Sequence, residues 1–125
     1  MTVVYGPVLD GMKQAFLDEL IDLNAAIAGP LLICGDFNLI YQAADKSNDR
    51  LNLRWMRRFR RAIDSMQLEE IHLHGRLFTW SNERRRPTFE RIDRAFANIQ
   101  WLDLFSSHHL RTLSSDCSDH APLLL

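Results

Sequence analysis

Leu31-Leu32-Ile33-Cys34-Gly35-Asp36-Phe37-Asn38 is an apolar run that stops abruptly at an acid and an amide, and its reading decides the fold. Gly29-Pro30 precedes it and it is too short for a helix, which favours a strand covered on both faces. Because strand side chains alternate, Asp36 and Asn38 are expected on one face and Phe37 on the other. A carboxylate beside an amide can position a nucleophile and a phosphate oxygen. Taken alone, Gly-Asp-x-Asn is equally a strand end rich in turn formers.

Upstream, Thr2-Val3-Val4-Tyr5 is a β-prone run closed by Gly6-Pro7. Asp10 is the expected N-cap of a helix of about four to five turns, with Phe16, Leu20, Leu23 and Ile27 on its apolar stripe and Gly29-Pro30 ending it. Downstream, residues 41–52 are polar and aperiodic, the pattern of a surface loop. A second helix is expected from about Asn52, its cap, to about Met66, burying Trp55, Met56, Phe59, Ile63 and Met66. Arg54, Arg57, Arg58, Arg60 and Arg61 cannot share one narrow stripe of that helix. For any one of them, including Arg57 and Arg61, a solvated surface and a phosphate contact are comparable readings.

Residues 77–80 and 88–93 are two β-prone runs joined by a polar segment, a hairpin whose tip is Arg84-Arg85-Arg86. Those arginines have no apolar neighbour to cover, which fits a polyanion better than packing. Asn98 is the expected cap of a short helix carrying Trp101, Leu104 and Phe105. Two short apolar runs, 110–113 and 121–125, then bracket the polar loop from Ser114 to His120.

With 125 residues, 46% hydrophobic and 25% charged, the chain has material for one core, and residues 1–125 read as one unit. No apolar run approaches bilayer-spanning length, so no membrane partner is expected. The N-terminus shows no cationic and apolar signal pattern, which points to an intracellular chain. Cys34 and Cys117 have no metal-ligand spacing, so neither zinc nor a disulfide is expected. The net charge of −1 conceals segregation: residues 1–49 carry −5, residues 50–94 carry +6 and residues 95–125 carry −2. A basic face beside an acidic site is the natural reading.

Polar groups therefore stand at the ends of apolar runs: Asp36 with Asn38, Thr79 with Trp80, Asp93, and Asp119 with His120. Adjacent residues of a regular strand face opposite ways, so Asp119 and His120 can share a site only where the backbone is irregular. Gly35-Asp36-Phe37-Asn38, Phe78-Thr79-Trp80, Arg91-Ile92-Asp93-Arg94 and Ser118-Asp119-His120 together resemble, in order and spacing, the endonuclease/exonuclease/phosphatase superfamily. The flanking stretches Val4-Tyr5-Gly6-Pro7, Phe78-Thr79-Trp80-Ser81-Asn82 and Ile92-Asp93-Arg94-Ala95-Phe96 are most similar to the endonuclease domain of plant LINE-type (non-LTR) retrotransposons.

The resemblance implies a magnesium-dependent phosphodiesterase, manganese being an alternative ion, in which water attacks phosphorus directly. It implies that Asp36 activates or orients the water and that Asn38 holds the phosphate or that aspartate. His120 would stabilise the phosphoryl oxygens, Asp93 would set the histidine's proton, Asp119 and Asp36 would lie at the metal, and Tyr5 near the phosphate. DNA is the implied partner, met by Arg84, Arg85, Arg86, Arg57, Arg61, Thr79 and Trp80, and a nuclear location is implied on the same basis alone. The family's metal-binding glutamate lies upstream of the tyrosine motif, and here only four residues precede Tyr5. The chain therefore resembles the C-terminal half of a four-layer α/β/β/α sandwich: one mixed, mostly antiparallel sheet with helices on one face. Its other face would be left for an N-terminal half-domain or for self-association. A weakly active or inactive endonuclease is expected, the alternatives being a non-catalytic nucleic-acid-binding or interaction fragment and a phosphatase of the same superfamily.

Overall fold

A computed structural model describes all 125 residues. In chain order the elements are β1 (Thr2–Tyr5), α1 (Asp10–Ala26), β2 (Leu32–Asp36), α2 (Leu53–Ser65), β3 (Glu69–Glu70), β4 (Leu73–His74), β5 (Trp80–Ser81), β6 (Phe89–Glu90), β7 (Asp93–Ala97), α3 (Ile99–Leu104), β8 (Leu110–Thr112) and β9 (Leu123–Leu124). The central sheet runs β1-β2-β7-β3, parallel between β1 and β2 and antiparallel elsewhere. A three-stranded sheet β4-β8-β9 and the β5-β6 ribbon complete a mixed α/β fold. No helix is long and apolar enough to cross a membrane.

Strand β2 is sandwiched as its apolar run requires. Leu31, Ile33 and Phe37 enter a core with α1 and α2, whereas Leu32 enters a second cluster with Ala95, Ala97, Ile71, Leu73 and Leu110. Gly35 is obligatory within it: φ is +138°, and a Cβ there would meet the Val4 carbonyl oxygen at 2.1 Å. Phe37, fully buried, is the hub of the first core, with ring centroids of Phe59 and Phe96 each 5.3 Å away.

Helix α2 follows the expected pattern: the Asn52 side chain accepts from the Trp55 amide at 3.2 Å, and Trp55, Phe59 and Ile63 are buried. Met66 is buried just beyond its end, while Met56 is half-buried. Helix α1 departs from expectation in two ways. Its N-cap is Leu9, without a side-chain bond, and Asp10 instead sits in the first turn, where its charge complements the helix dipole. Its buried residues are Leu17 and Leu20, and Ile27 lies beyond the helix end in solvent. The segment 41–52 is not wholly a surface loop, because Tyr41 packs on Phe59 and Phe96 and Asp45 is buried.

The expected hairpin is shorter than its sequence pattern, since only residues 80–81 and 89–90 pair and Asp93 opens β7 in the central sheet. The second sheet face is also better covered than expected. Trp101 and Leu102 of α3 and Leu123 of β9 pack against the second cluster, so α3 lies opposite α1 and α2. The β1 edge stays open, with Met1, Val3 and Tyr5 71–84% exposed, and Ile99, Leu104 and Phe105 around α3 are exposed as well.

Candidate active site

Asp36 closes β2 and Asp93 opens β7, and the antiparallel register sets the two opposite each other. Asp36 and Asn38 do meet, but through a turn and not through strand alternation. Asn38 has φ +49°, a left-handed conformation that asparagine tolerates. Its amide donates to Asp36 Oδ1 at 2.8 Å, and its Nδ2 donates to Asp36 Oδ2 at 3.3 Å and to the Gly6 carbonyl at 2.6 Å. Burial of Phe37 between them anchors this turn to the core.

His120 arrives from a distant segment by pairing along the ribbon. The Ala121 amide donates to the Thr79 carbonyl at 2.7 Å and the Ser81 amide to the Asp119 carbonyl at 3.1 Å, making an isolated bridge of Trp80 with His120. His120 Nδ1 then lies 2.9 Å from Asp93 Oδ2, with Nε2 3.7 Å from Asp36 Oδ2 and 3.9 Å from Asp119 Oδ1. An ionised carboxylate only accepts, so the Asp93 contact places a proton on Nδ1. Trp80 Nε1 donates to Asp119 Oδ2 at 3.1 Å, fixing the carboxylate that flanks the histidine. Ligand atoms of Asp36, Asp93 and His120 all fall within 4.8 Å of one another, a cluster able to hold a metal ion. Tyr5, Asp36, Asn38, Trp80, Asp119 and His120 line one cleft of about 440 Å³.

Thr79 corrects its assignment to a nucleic-acid surface. It is 2% exposed, and its Oγ1 accepts from the Ile92 and Asp93 amides at 3.1 Å each. It braces the backbone behind the site. Arg57 and Arg61 are exposed on α2, and Arg84, Arg85 and Arg86 stand exposed at the tip and form no salt bridge. Arg58 and Arg60 instead lie over the Trp55 and Tyr41 rings at 4.9 and 5.2 Å. Sequence reasoning missed the buried ion network of Arg94 with Asp45 and Glu70, directly behind Asp93. Its only signal was an arginine leading directly into the apolar run Ala95-Phe96-Ala97.

Burial raises the Asp36 pKa, opposed by the Asn38 amide and reinforced by Asp93. Burial alone would lower the His120 pKa, but the hydrogen bond and charge of Asp93, with Asp36 and Asp119 behind it, outweigh burial and raise it. The histidine's contribution to stability is therefore complete below its unfolded pKa of about 6.5 and fades as pH rises through the folded value. In metal-free protein, Asp93→Asn should lower the His120 midpoint, because it deletes the largest raising influence and leaves burial. Imidazole NMR titration reads this directly; an unchanged midpoint would mean that Asp93 does not hold the proton.

The sequence profile described as the Endonuclease/Exonuclease/phosphatase family matches residues 2–120. The chain belongs to this family. Among solved structures, the fold is similar to the endonuclease domain of TRAS1, a telomere-specific non-LTR retrotransposon, with TM-score 0.71 and 18% identity over 91% of this chain. It is also similar to the 3′ phosphatase NExo from Neisseria bound to product DNA hairpin, TM-score 0.64 and 19% identity over 91% of the chain. The 3′-5′ exonuclease NExo from Neisseria meningitidis gives TM-score 0.65 at 20% identity, again over 91% of the chain. The chain spans 51% of the length of each of these structures. A search of curated proteins finds no match. At these identities the likeness establishes the family fold, whose mixed sheets and helices the chain reproduces.

Proposed function

We propose that this chain is the catalytic-dyad half of a LINE-type, divalent-metal-dependent DNA endonuclease. The observation that carries this reading is the Asp93–His120 pair at 2.9 Å with the Asp36 carboxylate facing the other ring nitrogen. Asp36 orients the attacking water and accepts its proton, and the burial that raises its pKa makes it a stronger base than a solvated aspartate. Asn38 holds Asp36 in place, since its Nδ2 is already donating to Asp36 and Gly6. Asp93 keeps the imidazole charged, and Nε2–H then donates to a phosphoryl oxygen. Tyr5, at the mouth of the same cleft, adds a hydroxyl toward the phosphate.

The donor set fits a hard cation. Asp93 occupies His120 Nδ1, which leaves carboxylate oxygens of Asp36, Asp93 and Asp119 as the donors, and oxygen donors are what magnesium takes. A bound magnesium or manganese ion would supply charge stabilisation at the phosphoryl oxygen. With so few carboxylates the ion is held loosely, so the full rate requires the half of the family fold that this chain does not span, seated on the open β1 edge.

Plasmid nicking in magnesium tests the reading, with the 125-residue chain alone and with a related N-terminal half supplied in cis or as a separate chain. Nicking is expected mainly in the complemented protein. Release of inorganic phosphate from inositol phosphates with no nicking would replace the endonuclease by a phosphatase. Magnesium-dependent nicking by the chain alone, lost in His120→Ala, would overturn the incomplete-site reading.

The exposed arginine tip motivates a separate expectation. Changing Arg84, Arg85 and Arg86 together to alanine should weaken DNA binding irrespective of sequence and reduce the slope of log K against log salt by up to about three. An unchanged slope would remove the tip from the DNA-binding surface.

A further inference from the structure

The chain has two lysines and thirteen arginines, and its nuclease cleft is lined by both lysines and by no arginine. Lys13 occupies the core-facing stripe of α1, four residues before Leu17 and seven before Leu20, which are buried. A lysine there costs the helix an apolar contact, yet its side chain is only 13% exposed. Its ionic partner is Asp10 at 3.0 Å, whose side chain is 64% exposed, and so wet a pair contributes little to stability. Lys46 enters the cleft from the segment after β2. Its backbone bridges to Glu90 of β6, its Nζ donates to the Arg50 carbonyl at 2.8 Å, and the Glu90 carboxylate lies 3.4 Å away. An ammonium carries three donors, so each of the two keeps at least one for a ligand. The same cleft is lined by the carboxylates of Asp36, Glu90 and Asp119, which would repel a phosphodiester unless cations stood among them.

We propose that Lys13 and Lys46 hold the phosphates adjoining the one that is attacked, so that the cleft grips the DNA strand by itself. The inference rests on the endonuclease reading of this site and adds the residues that position its substrate. Both stems are largely covered, and a charge there is screened less by water and salt than one in open solvent. Both are also held before DNA arrives, Lys46 by the Arg50 carbonyl and Lys13 by its place on α1, so little side-chain freedom is lost on binding. Arg84, Arg85 and Arg86 have neither advantage, since they stand in solvent at the ribbon tip. Glu90 balances the Lys46 charge in the absence of DNA and competes with a phosphate for it.

Anisotropy of a short fluorescent DNA duplex, bound in magnesium by the 125-residue His120→Ala chain across a salt series, tests this without cleavage. In that background Lys13→Met, which keeps the apolar stem, and Lys46→Gln should each lower the slope of log K against log salt by about one. Each should weaken binding about tenfold at roughly 0.1 M salt. Lys46→Arg should restore the slope. Glu90→Gln should tighten binding, opposite in sign to Lys46→Gln, whereas a merely structural ion pair would lose affinity from either side. Arg111→Gln, which removes an exposed charge on β8 outside the cleft, should leave the slope unchanged. Unchanged slopes in both lysine variants, a slope lowered as much by Arg111→Gln, or weaker binding by Glu90→Gln would overturn the proposal. If Lys13→Met does not fold, Lys46→Gln decides alone. Nicking by the complemented protein with unchanged slopes would sink the lysine grip and keep the endonuclease; lowered slopes without nicking would do the reverse.

Discussion

Arg94→Ala should cost this protein about 3–5 kcal/mol of folding stability, the range for stranding a buried charge. Arg94 is fully buried on the helix-covered side of β7, where its guanidinium meets Asp45, itself 2% exposed, and Glu70, and donates to the Arg91 carbonyl at 3.0 Å. The Tyr41 ring lies 5.6 Å from it. Asp45 also accepts from the Tyr41 and Gln42 amides at 2.8 and 3.0 Å, so the arginine ties the 41–45 segment to the central sheet. Alanine would leave the buried Asp45 carboxylate without its cation, while Glu70 keeps Arg91 at 2.8 Å, and it would open a void the size of a long side chain. Since domains of this size are stable by roughly 5–15 kcal/mol, the variant should be close to unfolded. The network is not fully satisfied, because Nε of both Arg91 and Arg94 lacks a partner. An apolar replacement of the whole pair, Arg94→Met with Asp45→Leu, should recover only part of the loss, because the Tyr41 and Gln42 amides then lose their acceptor. Urea denaturation measures both; a loss below about 1 kcal/mol for Arg94→Ala would show that the pair is solvated.

The second large effect is catalytic. In the complemented protein, Asp36→Ala and His120→Ala should each lower the nicking rate by about 10²–10⁴, the span of a lost general acid or base, while DNA affinity stays within about twofold. Because both groups act on one transition state, the double variant should be little worse than either single one. Asp36→Asn separates chemistry from folding. Its carboxylate is raised in pKa by burial, so ionised Asp36 weakens the fold as pH rises above the unfolded value, and an isosteric amide removes that burden. Asp36→Asn should thus be inactive and should lose the fall in stability that ionisation of Asp36 brings as pH rises, with Tm measured against pH reading the second half of the expectation. A variant that nicks normally would remove Asp36 from the mechanism.

Both predictions rest on residues whose legibility in the sequence differed. Asp36 and Asn38 could be singled out because an apolar run ending in turn formers is a local pattern. Arg94 stood in plain view within Arg91-Ile92-Asp93-Arg94 but could not be read as a buried charge, since its partners Asp45 and Glu70 lie 49 and 24 residues away.

What the sequence determined by itself is what short-range physics controls. Breakers at Gly29-Pro30 delimit β2, Asn52 and Asn98 accept the third amide of the helices that they cap, and the four-three spacing of apolar residues selects the buried side of α2. Motif order along the chain carried the family. The tertiary structure alone decided how the site closes. Asp119 and His120 share a cleft because their backbone pairs with Thr79 and Ser81, and Thr79 turns inward to hold the Asp93 amide instead of facing nucleic acid. It also decided that α3 and β9 cover part of the second sheet face, while the β1 edge stays open. Local propensity cannot encode these outcomes, because each depends on contacts between segments 27 to 84 residues apart, such as His120 with Asp93 and His120 with Asp36, whose free energy exists only once the sheet has formed.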